Sequence, residues 1–331
     1  MNKPKWIYVA SNPILFPMRP RRVNRGTASG EPLTDMPIDE DAPGNRRFPF
    51  RIKHSAKRMP DHAQTLPSSL AAALRKKAPG FIDFAGEGAS TTIASYNVHK
   101  CVGTDGRFDP GRVARVVGEI DADIIALQEA DERTGARLGL LDLEALQRET
   151  DLVPTHTPAN HGSHGWHGNL ILARRGIVQD VRQVRLPGFE PRGAIIVDLE
   201  LKGISLRVVA AHFGLLRRSR SQQASALVEA TRSVSKPTIL LGDLNEWRVR
   251  NRSSLLALLP HFGPIHAVLP SFPSRYPLLA LDRIMARPAS LITRIEVHQT
   301  PLARVASDHL PIKARLNLEV LGEAPKQPDP V

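Results

Sequence analysis

Six apolar runs between residues 91 and 310 end in side chains that can hold a cation or move a proton. The first closes on Tyr96-Asn97-Val98-His99 and the second on Leu127-Gln128-Glu129. Two more close on Ala211-His212-Phe213 and Leu241-Gly242-Asp243-Leu244-Asn245. The last two carry Leu281-Asp282-Arg283-Ile284 and Ser307-Asp308-His309. Singly, each of these residues is a common turn or cap residue. Together they form a mixture suited to hydrolysing a phosphate ester. Carboxylate oxygens hold a hard divalent cation, which offsets charge on phosphoryl oxygens. A histidine with a carboxylate partner activates water near neutral pH. Amide and imidazole donors stabilise the charge that develops in the transition state.

Convergence of these groups requires elements that share an end. Thr91–Asn97 and Asp123–Gln128 read as buried strands, and Pro110–Ile120 between them has helical spacing at Val113, Val116, Val117 and Ile120, with Asp109 as a natural N-cap. Further strands are expected at Asn169–Ala173, Ala194–Leu201, Leu206–His212 and Thr238–Leu241. Others follow at Arg283–Met285, Arg294–Val297 and Pro311–Leu318. Helices fit Leu141–Glu149, Ser219–Ser233 and Ser253–Leu259. Strands interspersed with single helices predict a layered α/β domain, in which ligands gather outside the strand ends.

The chain has 331 residues and one cysteine, Cys101, so an intrachain disulfide is excluded and a reducing, cytoplasmic compartment is expected. No apolar run reaches membrane-spanning length. Net charge is +12, of which +7 falls in residues 1–90. That balance favours polyanionic partners, nucleic acid or an anionic lipid surface with peripheral membrane association. Residues 1–85 read as a largely irregular, basic, proline-rich segment with a short helix at Ser68–Lys77. Residues 90–320 read as the catalytic domain and 321–331 as a disordered tail.

Leu127-Gln128-Glu129, Gly242-Asp243-Leu244-Asn245 and Ser307-Asp308-His309, in that order, resemble the motifs of the endonuclease/exonuclease/phosphatase superfamily. The resemblance covers about Thr91 to Leu318. It implies a DNase I-like four-layer α/β sandwich, two central mixed sheets flanked by helices. It also implies Mg²⁺ as cofactor, with Mn²⁺ as a substitute. Glu129 is then similar to the principal metal ligand, with Asn97 beside it and Asp308 in the metal region. His309 is similar to the catalytic histidine, paired with Asp282, and acts as general base or as a phosphate-binding imidazolium. Asp243 would orient the attacking water, Asn245 would hold that water or a phosphate oxygen, and His212 would contact phosphate. Asn169, Arg192, His167 and Arg217 are candidate substrate contacts. AP endonucleases resemble the chain less well, because they carry an acid where His99 stands and a tyrosine where His212 stands. The stretch Tyr96–Lys100 followed by Gly103–Arg107 is most similar to bacterial members, some associated with cardiolipin synthase-like proteins.

Arg217, Arg218 and Arg220 follow His212, and Arg248, Arg250 and Arg252 follow Asn245. Both clusters could grip phosphates of a polynucleotide or of a lipid surface. His156, His161, His164 and His167 form a histidine-rich loop that could bind a metal, contact substrate or serve as an ordinary polar loop. Cys101 reads as a packed thiol. The expected function is Mg²⁺-dependent phosphoester hydrolysis of the nuclease or phosphodiesterase kind. One alternative is a phospholipid or inositol-phosphate phosphoesterase at an anionic membrane surface. Another is a non-enzymatic basic scaffold for nucleic acid or anionic lipid.

Overall fold

Period-two and period-3.6 apolar spacing resolves into twelve strands and four α-helices among the described residues. The computed structural model describes residues 81–84, 90–155, 162–174, 176–232, 236–264 and 268–321. The expected basic segment up to residue 80, its helix at Ser68–Lys77 and the tail from residue 322 lie outside these. In chain order the elements begin with β1 (Phe81–Asp83), β2 (Ser90–Asn97), α1 (Pro110–Ile120) and β3 (Ile124–Gln128). Then come α2 (Leu143–Thr150), β4 (Val153–Pro154), β5 (Leu170–Ala173) and β6 (Ile177–Leu186). They continue with β7 (Arg192–Leu201), β8 (Ile204–Ala211), α3 (Arg217–Arg232) and β9 (Thr238–Asp243). The last are β10 (Asp282–Arg287), β11 (Ile292–Val297), α4 (Ala303–Ala306) and β12 (Ile312–Asn317).

The strands form two mixed sheets. One has seven strands in the order β1-β11-β12-β2-β3-β5-β4, the other five in the order β10-β9-β8-β7-β6. Only β2–β3 and β8–β9 pair in parallel. Alternation along β7 divides its side chains between two cores. Ile195, Val197 and Leu199 join Ile93, Ile125, Leu127 and Leu241 in the core between the sheets. Ala194 and Ile196 face the other way, against Ala224 and Leu227 of α3. On the seven-stranded side, Val113, Val116, Val117 and Ile120 of α1 complete the larger core. The helix starts where Asp109 accepts the Arg112 N–H at 2.8 Å, with Pro110 at its first position. The result is the expected DNase I-like layering of helices outside two sheets.

Three local features differ from the sequence reading, the first a strand it did not name. The ten-residue strand β6 carries Asp180, Arg182 and Arg185 among its valines. It is an edge strand with a bulge between Val178 and Asp180, so its apolar period is broken. The helix expected at Ser253–Leu259 is only a 3₁₀ turn at Leu256–Leu258. Ser254 donates through its N–H and hydroxyl to Glu246, and the Ser253 hydroxyl accepts the Leu255 N–H, which ties the backbone to partners that compete with a helix. Finally, β1 lies inside the segment expected to be irregular through residue 85. Its three residues are too few to show a period, and pairing with β11 forms it.

Candidate active site

β9 is buried along its whole length and delivers Asp243 to the end of the sheet. Gly242 precedes it at φ +146°, and a Cβ there would collide with the Ala211 carbonyl of β8. Only glycine lets the two parallel strands close at that point. Asp243 accepts from Asn97 Nδ2 at 3.0 Å and from the Asn245 N–H at 2.9 Å. His212 Nε2 lies 3.4 Å and His309 Nε2 3.7 Å from the same carboxylate. Burial raises the Asp243 pKa, and the neighbouring Asp282 raises it further, against the pull of His309 and Asn97.

Asp282 opens β10 directly opposite Asp243 in the register. His309 Nδ1 donates to Asp282 Oδ2 at 2.9 Å, and the Ser271 hydroxyl donates to the same oxygen. Ser307 holds the segment in place, donating to the Asn97 carbonyl at 2.7 Å while its oxygen accepts the His309 N–H at 3.2 Å. The Phe272 ring packs 4.9 Å from the imidazole. Burial works against a charge on His309, but Asp282 and Asp243 overcome it and raise its pKa to about 10. The ring is therefore an imidazolium at neutral pH. His212 behaves oppositely: burial, then Arg192 and His309, push its pKa well below 6.5. Arg192 Nη1 lies 3.0 Å from the ring. One neutral tautomer serves both neighbours, with Nδ1 accepting from Arg192 and Nε2–H facing Asp243.

Beside this network lies an open cleft of about 380 Å³, lined among others by Lys100, Glu129, Arg133, His167, Arg192 and His212. Glu129 follows β3 at φ 56°, and Gly168 packs so close that a Cβ would sit 3.3 Å from the Glu129 Cα. One Glu129 oxygen, Oε2, is buried without a hydrogen-bond partner and lies 3.6 Å from Lys100 Nζ. Arg192 and Arg133 both donate to Glu190, at 2.8 and 2.7 Å. His167 Nδ1 lies 2.8 Å from Arg137, and Nε2 is buried with no partner. Burial and then Arg137 lower the His167 pKa to about 4.

Asn97, His212, Asp243, Asn245, Asp282 and His309 thus form one connected network. Glu129, His167 and Arg192 line the adjoining cleft, and Asp308 is one-third exposed, 3.8 Å from His99 Nδ1. Asn169 is different. It is fully buried and donates to the Trp166 and Gly193 carbonyls, so it braces the start of β7. Arg217 is exposed at the start of α3. Of the histidine-rich loop, His156 and His161 lie outside the described residues. The His164 Nε2 sits against the backbone of Leu141. Cys101 is buried, and burial pushes its thiol up to about 12, as befits a packed residue. Lys100, Arg133, Arg137 and Glu190 are site residues that the strand-end pattern did not single out. All but Glu190 follow a singled-out residue within eight positions, and that proximity was the available signal.

Among the described residues, Asp243, Asp282 and His309 are the acid and histidine groups whose ligand atoms lie within 4.8 Å of one another. Much of their capacity is already spent on hydrogen bonds, including His309 Nδ1 and Asp282 Oδ2. Two buried carboxylate oxygens among the described residues lack a hydrogen-bond partner, Asp282 Oδ1 within the network and Glu129 Oε2 in the cleft.

The Endonuclease/Exonuclease/phosphatase family profile matches residues 94–309. The "Uncharacterized protein YbhP" of Escherichia coli K12 is 28% identical over 255 residues, 69% of this chain and 97% of that protein. The mannosyl-6-phosphatase Bt3783 of Bacteroides thetaiotaomicron VPI-5482 superposes with a TM-score of 0.51 at 18% identity, covering 68% of this chain and 98% of that one. D. rerio TDP2, solved with a single-stranded DNA product, gives 0.51 at 14% identity over 70% and 100% of the two chains. These likenesses establish a shared fold.

Proposed function

The chain belongs to the endonuclease/exonuclease/phosphatase family, whose members are hydrolases acting on phosphoester bonds, and we propose that it hydrolyses a phosphate ester with Mg²⁺ as cofactor. The observation that carries this reading is the buried Asp282–His309–Asp243–Asn97 network, in which His309 lies between two carboxylates. Water attacks phosphorus, the ester P–O bond breaks, and the water's two hydrogens are shared between the phosphate and the leaving oxygen. Asp243 is the group that orients the water and takes its proton, because its raised pKa makes it a stronger base than an ordinary carboxylate. His309, charged and held by Asp282, donates to a phosphoryl oxygen and stabilises the growing negative charge. Of its two possible roles, the imidazolium one fits a ring that keeps its proton at neutral pH. Asn245 supports the same water or oxygen. His212 and Arg192 line the cleft where phosphate would sit, the neutral His212 ring being held between Arg192 and Asp243.

The donor set fits a hard cation, since Glu129 keeps a buried carboxylate oxygen without a hydrogen bond. Glu129, Asn97 and Asp308 would hold it. When bound, Mg²⁺ supplies charge to offset that on the phosphoryl oxygens; Mn²⁺ can replace it.

The test is hydrolysis of bis(p-nitrophenyl) phosphate and p-nitrophenyl phosphate, followed by DNA, RNA, phospholipid and inositol phosphates. Turnover should need a divalent ion, stop with EDTA, and fall by about 10²-fold or more in Asp243→Asn. Hydrolysis that is indifferent to EDTA and to Asp243→Asn would sink the assignment.

A further inference from the structure

Seven of the thirteen exposed large hydrophobic residues among those described lie on four loops at one end of the five-stranded sheet. The loop between β6 and β7 carries Phe189, which is 88% exposed. Leu215 and Leu216 follow β8, and Trp247 and Val249 follow β9. Tyr276, 77% exposed, and Leu278 precede β10. The strand registers place all four loops at the catalytic end, because Leu186 pairs with Arg192 and Asp243 with Asp282. Hydrogen bonds join the loops in sequence around that end. The Leu215 N–H donates to Glu190 at 2.7 Å, Asn245 Nδ2 to the Phe213 carbonyl at 2.9 Å, and the Leu244 N–H to the Leu281 carbonyl at 3.0 Å.

The same loops and the start of α3 beside them are basic. Arg217, Arg218, Arg252 and Arg275 are exposed, and Arg248 stacks on Trp247 with its guanidinium 4.4 Å from the ring centre. Their two acids are turned inward. Glu246 is fully buried against Ser254 and Arg220, and Glu190 is held by Arg192 and Arg133. A rim of protruding apolar side chains and arginines with no outward acid suits one surface chemistry. Arginines pair with lipid phosphates, tryptophan and tyrosine settle at headgroup level, and leucines enter the acyl boundary. Single-strand nucleic-acid affinity rests mainly on aromatic stacking and phosphate contacts, neither of which Leu215, Leu216, Val249 or Leu278 supplies.

We propose that the rim formed by Phe189, Leu215, Leu216, Trp247, Tyr276 and Leu278 docks on an anionic phospholipid surface and presents the catalytic cleft to a phosphoester held in the bilayer. The second half of this statement rests on the phosphoesterase reading; the docking does not.

The full chain is mixed with vesicles of phosphatidylglycerol and phosphatidylcholine, or of phosphatidylcholine alone, and sedimented. Wild type should partition to the anionic vesicles, and Leu215→Ser/Leu216→Ser should weaken partitioning at least about tenfold, given the apolar area each leucine brings. That variant should keep wild-type turnover on soluble bis(p-nitrophenyl) phosphate. Tryptophan emission should shift to the blue on vesicle addition, and Trp247→Phe should remove the shift. Docking is overturned if the double variant binds vesicles as wild type does, or if the chain binds duplex DNA and ignores anionic vesicles. Vesicle binding that the double variant loses, in a protein that hydrolyses no phosphoester, would support the docking and overturn only the catalytic reading.

Discussion

His309 sits among carboxylates whose charges outweigh the cost of burying it, and in the proposed mechanism its protonation decides its role. His309→Ala should lower turnover by about 10²-fold or more, since it removes a positioned donor. The pH profile separates its two possible roles. An imidazolium donor works while the proton is bound, so activity should hold through neutral pH and decline as pH approaches about 10. A general base would instead gain activity as pH rises through that range. The acid limb belongs to Asp243, whose raised pKa should make activity fall at a higher pH than an ordinary carboxylate would. Asp282→Asn should lower the alkaline limb, because the carboxylate in contact with Nδ1 is lost. Glu129, Asp243, Asp282 and His309 were legible as chemistry because each ends an apolar run. Their protonation states were not, because burial and neighbouring charges come from residues far apart in the chain.

β7 and β8 hold the five-stranded sheet together with a charged pair as well as with apolar packing. Asp198 and Arg207 face each other in the register and form two hydrogen bonds, at 2.6 and 2.8 Å, while almost fully buried. Removing one partner leaves the other buried and uncompensated, which costs about 3–5 kcal/mol. Asp198→Ala should therefore lower the urea midpoint well below that of wild type, since Lys236 also loses its partner; an unchanged midpoint would show that solvent already meets the needs of Arg207. At this scale, buried runs such as β3 and β9 and the capped helix α1 could be read from local pattern. The edge strand β6 and the turn at Leu256–Leu258 could not. A bulge and serine–glutamate contacts across eight residues decide those two.

Over the whole molecule, buried histidines set opposite pH limits on stability. His309 has a raised pKa in the folded state, so its contribution is complete below about 6.5 and is lost as pH rises toward about 10. His212 and His167 have lowered values, so the folded state resists their protonation. Their contribution is lost as pH falls below 6.5, through about 4 for His167. Thermal midpoints measured across this range should therefore decline on both sides. In His309→Gln the alkaline decline should become shallower, and an unaltered alkaline slope would assign it to other groups. No helix among the described residues is long and apolar enough to cross a membrane.

The sequence by itself determined the layered α/β class, the family motifs and the main candidate site side chains, because strand-end polar residues after apolar runs are local signals. Tertiary structure alone decided that Lys100, Arg133, Arg137 and Glu190 belong to the cleft. It also decided that Asn169 is a brace and that four separate loops form one apolar, basic rim. Each of these depends on which strand ends face the same way, and that follows from sheet order and register, which pair residues more than a hundred positions apart.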